Sequence, residues 1–223
     1  MKTVELFAGT KSFSKVMQRQ GHDVLTFDNE LKLKPDICKD IFSTSIADFP
    51  ENIDMLWASP PCTTFSVASI SHYWLNGKPK NDKTLNGIAM LEKAIQLIVE
   101  LKPKYWFIEN PRGMMRKIID ESFKKYGISN YQRHTVSYCQ YGAKIMKPTD
   151  IWTNCKEWVS KPICKPGSSC HERAGRGSKT GIQGIYNYEW EKGRGSSATA
   201  RGVIPESLFE EILKAIKQTD GKF

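Results

Sequence analysis

The chain has 223 residues, 39% of them hydrophobic, and carries 33 Lys and Arg against 24 Asp and Glu, a net charge of +9. That size and apolar share let one domain bury a real core without stapling, and the positive balance favours a polyanionic partner, because basic surfaces attract phosphate backbones. No apolar run approaches the roughly 20 residues that cross a bilayer, which excludes a membrane-spanning helix.

The opening MKTVELFAG is too short and too polar for a secretory signal, so the expected setting is cytoplasmic. The six cysteines are then expected to be reduced, and are read for catalysis or metal binding before disulfides.

In chain order, residues 3–7 read as a buried strand running out into Ala8-Gly9-Thr10. Residues 12–20 read as a helix with Phe13, Val16 and Met17 on one face and Gly21 as its stop. Residues 22–27 give a second strand, ending at Asp28, and residues 53–58 another, ending at Ser59-Pro60-Pro61-Cys62. A long helix is predicted over 85–101, with Ile88, Leu91, Ile95 and Ile98 on one face. Residues 105–108 form a further strand, ending at Glu109-Asn110-Pro111. This βαβ rhythm predicts an α/β fold, a mostly parallel sheet with helices on both faces. From 154 to 201 Gly, Ser, Cys, Arg and Lys replace the apolar runs. Residues 205–218 return to a helix with Leu208, Ile212, Leu213 and Ile216 inward.

Gly9, Asp28, Cys62 and Glu109 each fall just after a strand. Open parallel sheets bind ligands outside the carboxyl ends of their strands, so one sheet edge can collect all four. The two prolines before Cys62 hold its sulfur in a rigid loop there; alone, it could equally be an inert buried thiol. Cytosine becomes nucleophilic at carbon 5 only after addition at carbon 6, which a thiolate can perform if an acid stabilises the charge developing around N3. A cysteine and a carboxyl facing one pocket meet that need. The Gly9 turn lets backbone approach a cofactor closely. It lacks the full GxGxxG pattern, which disfavours a nicotinamide-dependent oxidoreductase. Asp28 is positioned to accept from ribose hydroxyls and Asp40-Ile41 to read an adenine amino group, although each acid alone also fits an ordinary loop.

Glu5-Leu6-Phe7-Ala8-Gly9 resembles the first motif of the DNA cytosine-5 methyltransferase family, and Ser59-Pro60-Pro61-Cys62-Thr63-Thr64-Phe65-Ser66 its Pro-Cys nucleophile loop. Glu109-Asn110-Pro111 is similar to its Glu-Asn-Val, and Asp28 and Asp40-Ile41 to its ribose-binding acid and Asp-Ile pair. Ile204-Pro205-Glu206-Ser207-Leu208 resembles the C-terminal motif that closes over the methionine end of the cofactor. These five matches keep the family's order over about residues 3–111 and 198–217.

The resemblance implies a Rossmann-like class I methyltransferase fold and S-adenosylmethionine as cofactor. It implies that Cys62 attacks carbon 6, that Glu109 binds N3 and the exocyclic amine, and that Phe7, Ala8, Gly9, Thr10, Asp28, Asn29, Asp40, Ile41 and Pro60 hold the cofactor. Ser66 and Arg112 would lie toward the nucleic acid, whose target base must leave the stack to be reached. The family's Gln-x-Arg-x-Arg is absent from residues 141–148, where Lys144 or Lys147 would stand in without the planar fork of arginine. The Gly-Asn before the C-terminal motif is also missing, with Ala200-Arg201-Gly202 in its place. Residues 1–153 and 199–223 would form the catalytic domain, leaving 154–198 as a small recognition insert, closer to the small phage-type members.

Within that insert, Cys155, Cys164, Cys170 and His171 have the spacing C-x8-C-x5-C-H and are read as candidate ligands of a structural zinc, with unligated reduced thiols as the alternative. Arg173, Arg176, Lys179 and Arg194, interleaved with glycines, are candidate phosphate contacts, and Tyr186, Tyr188 and Trp190 candidate stacking residues. The alternative for that stretch is a disordered basic loop. The expected enzyme is a DNA cytosine-5 methyltransferase acting as a monomer. Methylation of RNA cytosine, transfer of a larger group from a modified donor, and a catalytically weak DNA-binding protein on the same fold remain alternatives.

Overall fold

The computed structural model describes residues 1–171 and 202–220. Its centre is a seven-stranded sheet of order β3-β2-β1-β4-β7-β9-β8. The strands are β1 (Lys2–Leu6), β2 (Asp23–Asp28), β3 (Ile37–Cys38), β4 (Met55–Ala58), β7 (Tyr105–Pro111), β8 (Gln132–Ser137) and β9 (Pro148–Thr153). The first five pair in parallel, and β9 runs antiparallel to both neighbours. A two-stranded hairpin, β5 (Trp74–Leu75) and β6 (Lys78–Pro79), stands apart from the sheet. The mostly parallel sheet and its helices match the fold class expected from the βαβ rhythm.

Met55-Leu56-Trp57-Ala58 is buried along its whole length, as a parallel strand covered on both faces must be. Alternate residues serve opposite faces. Val4, Leu6, Leu56 and Ile108 pack with Leu91, Ile95 and Ile98 of α3 (Asp82–Leu101) and with Ile119 and Phe123 of α4 (Met115–Lys125). Met55, Trp57 and Phe107 pack on the other face with Phe13, Val16 and Met17 of α1 (Ser12–Arg19) and with Leu208, Phe209, Ile212 and Ile216 of α5 (Glu206–Asp220). Trp57 is the hub of that face, with its ring centroid 5.8 Å from Phe13 and 4.8 Å from Phe209. A short helix, α2 (Ile70–Tyr73), precedes the hairpin.

Helix α3 starts three residues before its first predicted residue, because the Asn81 side chain accepts from the Thr84 amide at 3.0 Å and caps it. Helix α4 and strands β3, β8 and β9 were not expected. The residues just past the compositional change at 154 are held against the sheet. Asn154 accepts from the Trp106 amide at 2.9 Å and donates to the Lys104 carbonyl at 3.0 Å, while Cys155 and Trp158 are buried in the second core. Residues 154–158 therefore pack against the sheet and its second core. No helix among the described residues is long and apolar enough to cross a membrane.

Candidate active site

The carboxyl ends of β1, β2, β4 and β7 meet at one edge of the sheet, with Leu6 paired to Phe27 and Ala58, and Ala58 to Ile108. Beyond Leu6 the chain turns through Phe7 (φ 56°), Gly9 (φ 46°) and Lys11 (φ 55°), three left-handed residues among five. Such backbone strains a non-glycine residue by about 1 kcal/mol or more and persists only where the surroundings enforce it. The Asp28 carboxylate helps hold it by accepting from the Gly9 amide, and it also accepts from the Glu30 amide beyond β2, each at 2.9 Å. A carboxylate accepts about four hydrogen bonds, so Asp28 retains room for hydroxyl donors. Asn29 is exposed beside it. Asp40 caps the turn that follows β3, accepting from the Phe42 amide at 2.9 Å, whereas Ile41 is buried in the first core.

The C-terminal motif docks onto the same turn. The Ile204 amide donates to Ser12 Oγ at 3.1 Å, Ser12 Oγ lies 2.7 Å from Thr10 Oγ1, and a Cβ on Gly202 would lie 3.7 Å from the Thr10 methyl.

Glu5 anchors this edge from below, a role that its place in the motif did not reveal. Its buried carboxylate accepts from the Phe13 amide at 3.3 Å, the Ser14 amide at 3.0 Å and the Ser14 hydroxyl, closing the start of α1. Burial pushes its pKa from 4.5 up to about 7, against the opposing pull of the Ser14 and Phe13 bonds. The folded chain then retains a proton that the unfolded chain releases between pH 4.5 and about 7, so stability falls as pH rises through that window. Glu5→Gln, titrated by thermal unfolding against wild type, is expected to remove up to about 3 kcal/mol of that decline. Parallel stability–pH curves for the two proteins would refute it.

Cys62 opens a single 3-10 turn directly beyond β4, where its side chain is exposed. Its carbonyl accepts from the amides of Phe65 (3.0 Å) and Ser66 (2.9 Å). Five further contacts fix this turn. Asn110 Nδ2 donates to the Pro60 carbonyl at 2.8 Å from a fully buried position. Trp74 Nε1 donates to the Thr64 carbonyl at 2.6 Å. Gly113 forms a bridge with Ser66, and the Met114 amide donates to the Phe65 carbonyl at 2.8 Å. Gly87 of α3 approaches so closely that a Cβ there would lie 2.2 Å from Thr64 Oγ1.

Glu109 lies within β7 one residue beyond Ile108, buried, and its Oε1 accepts from the Tyr138 hydroxyl at 2.8 Å. Tyr138 is fully enclosed. Its pKa is held well above the ordinary value, first by burial, then by the Glu109 carboxylate, with a smaller contribution from the Cys62 thiol. Lys147 Nζ sits 4.9 Å from the Tyr138 ring centroid, within cation–π range, whereas Lys144 is exposed on the preceding loop. Arg116 joins α4 to β9 through a two-pronged ion pair with the fully buried Asp150, with Nε to Oδ2 at 2.8 Å, and neither residue stood out in the sequence. Ser66 caps its own turn, accepting from the Ala68 amide at 3.3 Å, and Arg112 is exposed at the end of β7.

The expected metal ligands come together with one correction. Cys164, Cys170 and His171 gather with Cys139, not with Cys155, and the four ligand atoms lie within 4.8 Å of one another. Cys155 is fully buried in the second core, with its thiol donating to the Glu157 carboxylate at 3.4 Å. The candidate phosphate contacts Arg173, Arg176, Lys179 and Arg194, and the aromatics Tyr186, Tyr188 and Trp190, lie outside the described residues.

Residues 1–136 match the family model for C-5 cytosine-specific DNA methylases. The chain is 29% identical over 229 residues to the Frog virus 3 (isolate Goorha) protein named "Probable DNA (cytosine-5)-methyltransferase", covering 96% of this chain and 99% of that one. It is 31% identical over 118 residues to the type II methyltransferase M.CviJI of Paramecium bursaria Chlorella virus IL3A, covering 49% of this chain and 30% of that one. Among solved structures, the S. pombe Dnmt2 methyltransferase superposes with a TM-score of 0.51 at 16% identity, over 78% of this chain and 59% of that one. A methyltransferase encoded within an E. coli prophage gives 0.51 at 16% identity, over 69% and 46%. The chain thus spans about half the length of these two structures, and at that identity the likeness is one of fold.

Proposed function

The chain belongs to the C-5 cytosine-specific DNA methylase family, and from that premise we propose how its residues divide the work of methylating carbon 5 of cytosine in DNA. The reading rests on one observation above all. Asn110 ties the Pro60 carbonyl, two residues before Cys62, to the strand end that holds Glu109. One buried side chain thereby couples the nucleophile turn to the carboxylate.

In this reading the Cys62 thiolate adds to carbon 6, forming a C–S bond and moving the electron pair of the 5,6 double bond toward carbon 5 and N3. Glu109 holds N3 and the exocyclic amine, offsetting the charge that develops there. Tyr138 fixes the Glu109 rotamer through its hydroxyl, and the Lys147 ammonium adds positive charge behind the phenol. Lys144 would act further out, toward the nucleic acid. Carbon 5 takes the methyl group, its proton leaves to a base, and expulsion of the Cys62 sulfur restores the ring.

S-adenosylmethionine, when bound, supplies the electrophilic methyl group. Phe7, Ala8, Gly9, Thr10, Asp28, Asn29, Asp40, Ile41 and Pro60 would line its site. The fit rests on the open acceptor positions of Asp28 and on the space above Gly9, where an added Cβ would have the Phe7 carbonyl oxygen, at 3.7 Å, as its one neighbour within 4 Å among the described residues. Ser66 and Arg112 would face DNA at the rim of the site, and Arg173, Arg176, Lys179 and Arg194 would neutralise phosphates from the insert. A structural Zn2+ completes the cofactor set, and the enzyme would act as a monomer in the cytoplasm.

The test is incubation with labelled S-adenosylmethionine and duplex DNA, digestion to nucleosides, and separation of 5-methylcytosine, with folded RNA as a parallel substrate. Label in DNA 5-methylcytosine is the expected result. Label in RNA alone would transfer the mechanism to another substrate, and failure to bind S-adenosylmethionine would sink the reading.

A further inference from the structure

We infer that Cys139, Cys164, Cys170 and His171 form a closed Cys3His zinc site that clamps the root of the insert onto the turn following β8. The inference rests on the reading that the insert carries a structural zinc, and adds to it the identity and role of the ligands. Zinc bound to thiolates at about 2.3 Å in a tetrahedron sets ligand-to-ligand edges of about 3.8 Å, slightly less to an imidazole nitrogen. Four of the six observed edges run from 3.2 to 3.7 Å, and all six lie within 4.8 Å, close enough for one ion to draw the ligands in. Cys164 Sγ lies 3.2 Å from Cys170 Sγ and 3.5 Å from His171 Nδ1. Cys170 Sγ lies 3.6 Å from His171 Nδ1 and 3.7 Å from Cys139 Sγ.

The sequence around the cluster builds this arrangement. Between Cys164 and Cys170 the chain reverses through Gly167 (φ 104°), with the Ser168 amide and hydroxyl both donating to the Lys165 carbonyl. That turn folds Cys170 and His171 back onto Cys164. Cys139 comes from a different element, 31 positions before Cys170, and three contacts around it hold the two segments in register. The Cys164 amide donates to Ser137 Oγ at 3.1 Å, Gln140 Nε2 to Cys170 Sγ at 3.3 Å, and the Lys161 amide to the Tyr141 hydroxyl at 2.9 Å. The amide–thiolate bond from Gln140 is the kind of outer contact that orients a metal ligand.

Four protein ligands leave no open position, so the ion is structural rather than catalytic. On binding, Zn2+ displaces the three thiol protons into solvent and gains three Zn–S bonds and one Zn–N bond. The ion ties the chain leading into residues 172–198 to the turn whose first residue, Tyr138, holds Glu109. The base-reading segment and the catalytic carboxylate would thus share one rigid footing.

The decisive experiment measures metal content of the full chain after dialysis against a weak chelator, alongside the visible spectrum of the protein refilled with Co2+. One zinc per chain and the intense bands of tetrahedral cobalt–thiolate are expected in wild type and in Cys155→Ser, and both are lost in Cys139→Ser and Cys170→Ser. Differential alkylation of wild type covers the case in which Cys139→Ser fails to fold. Stripping the metal should make Cys139, Cys164 and Cys170 reactive together and leave Cys155 unchanged. Zinc retained by Cys139→Ser but lost from Cys155→Ser would overturn the ligand set while leaving a zinc-bearing insert. A wild-type chain that takes up neither zinc nor Co2+ would overturn both, with the methylation assay unaffected.

Discussion

Cys62→Ala is expected to lower methyl transfer by at least about 10³-fold while leaving S-adenosylmethionine affinity, measured by calorimetry, unchanged. The sulfur is exposed on a single turn at the end of β4, so its removal opens no cavity and costs little stability. No other described thiol is placed to replace it: Cys139, Cys164 and Cys170 gather with His171 away from this turn, Cys155 is buried in the second core, and Cys38 lies beyond β2 at the sheet margin. Glu109→Gln should cost less, about 10²-fold or more, because the amide keeps the shape and can still accept from Tyr138 but loses the charge. DNA bearing 5-fluorocytosine separates a covalent role from a merely structural one. Fluorine cannot leave carbon 5 as a proton does, so the C–S bond persists, and a denaturation-resistant adduct should form with wild type and not with Cys62→Ala. Loss of cofactor binding in Cys62→Ala would instead assign the residue to the architecture of the loop.

The strands that could be read ahead of the structure are those whose burial is carried by their own side chains. Residues 53–58 and 105–108 are largely apolar runs, and Cys62 and Glu109 follow them because parallel strands deliver their loops to one edge. Strand β8 is a polar edge strand whose first residues are exposed, and β9 carries no apolar run because Thr149, Asp150 and Thr153 look solvent-facing yet are fully buried. Their burial depends on partners from elsewhere in the chain, Arg116 and Thr135 for Asp150 and the ladders to β7 and β8 for the backbone. Strand β3, two residues long, carries no measurable period. The Cys/His cluster shows the same limit. Along the chain Cys155 is the outlying member of the set, nine positions before Cys164, and the fold brings Cys139 to the cluster from across a turn and a strand instead. Tyr138 likewise reaches Glu109 across 29 positions, and no local pattern announces that bond.

Gly113→Ala tests whether catalysis depends on the exact seat of the nucleophile turn. The backbone of Gly113 is not left-handed, so alanine meets no dihedral penalty there, and the effect comes from contact alone. A Cβ would stand 2.1 Å from the Phe65 carbonyl oxygen, an atom of the main chain that cannot rotate aside. Phe65 is fully buried, and its own amide bonds to the Cys62 carbonyl, so relief of the clash must move the turn bearing the sulfur. Displacement of a reacting group by about 1 Å costs about 10²-fold in rate, and overpacking of this kind about 1–3 kcal/mol of stability. The expected result is a kcat lowered by about that factor, a Tm lowered by several degrees, and cofactor affinity near wild type, because the Gly9 turn lies on another strand. Gly87→Ala is the matched control. Its Cβ would meet Thr64 Oγ1 at 2.2 Å, but that hydroxyl has no hydrogen-bond partner among the described residues and belongs to a side chain that can turn away. Its kcat should therefore fall less. Equal losses in the two variants would mean that the turn moves as one piece under any pressure. Wild-type kcat in Gly113→Ala would shift the burden of seating Cys62 to the Asn110–Pro60 bond alone.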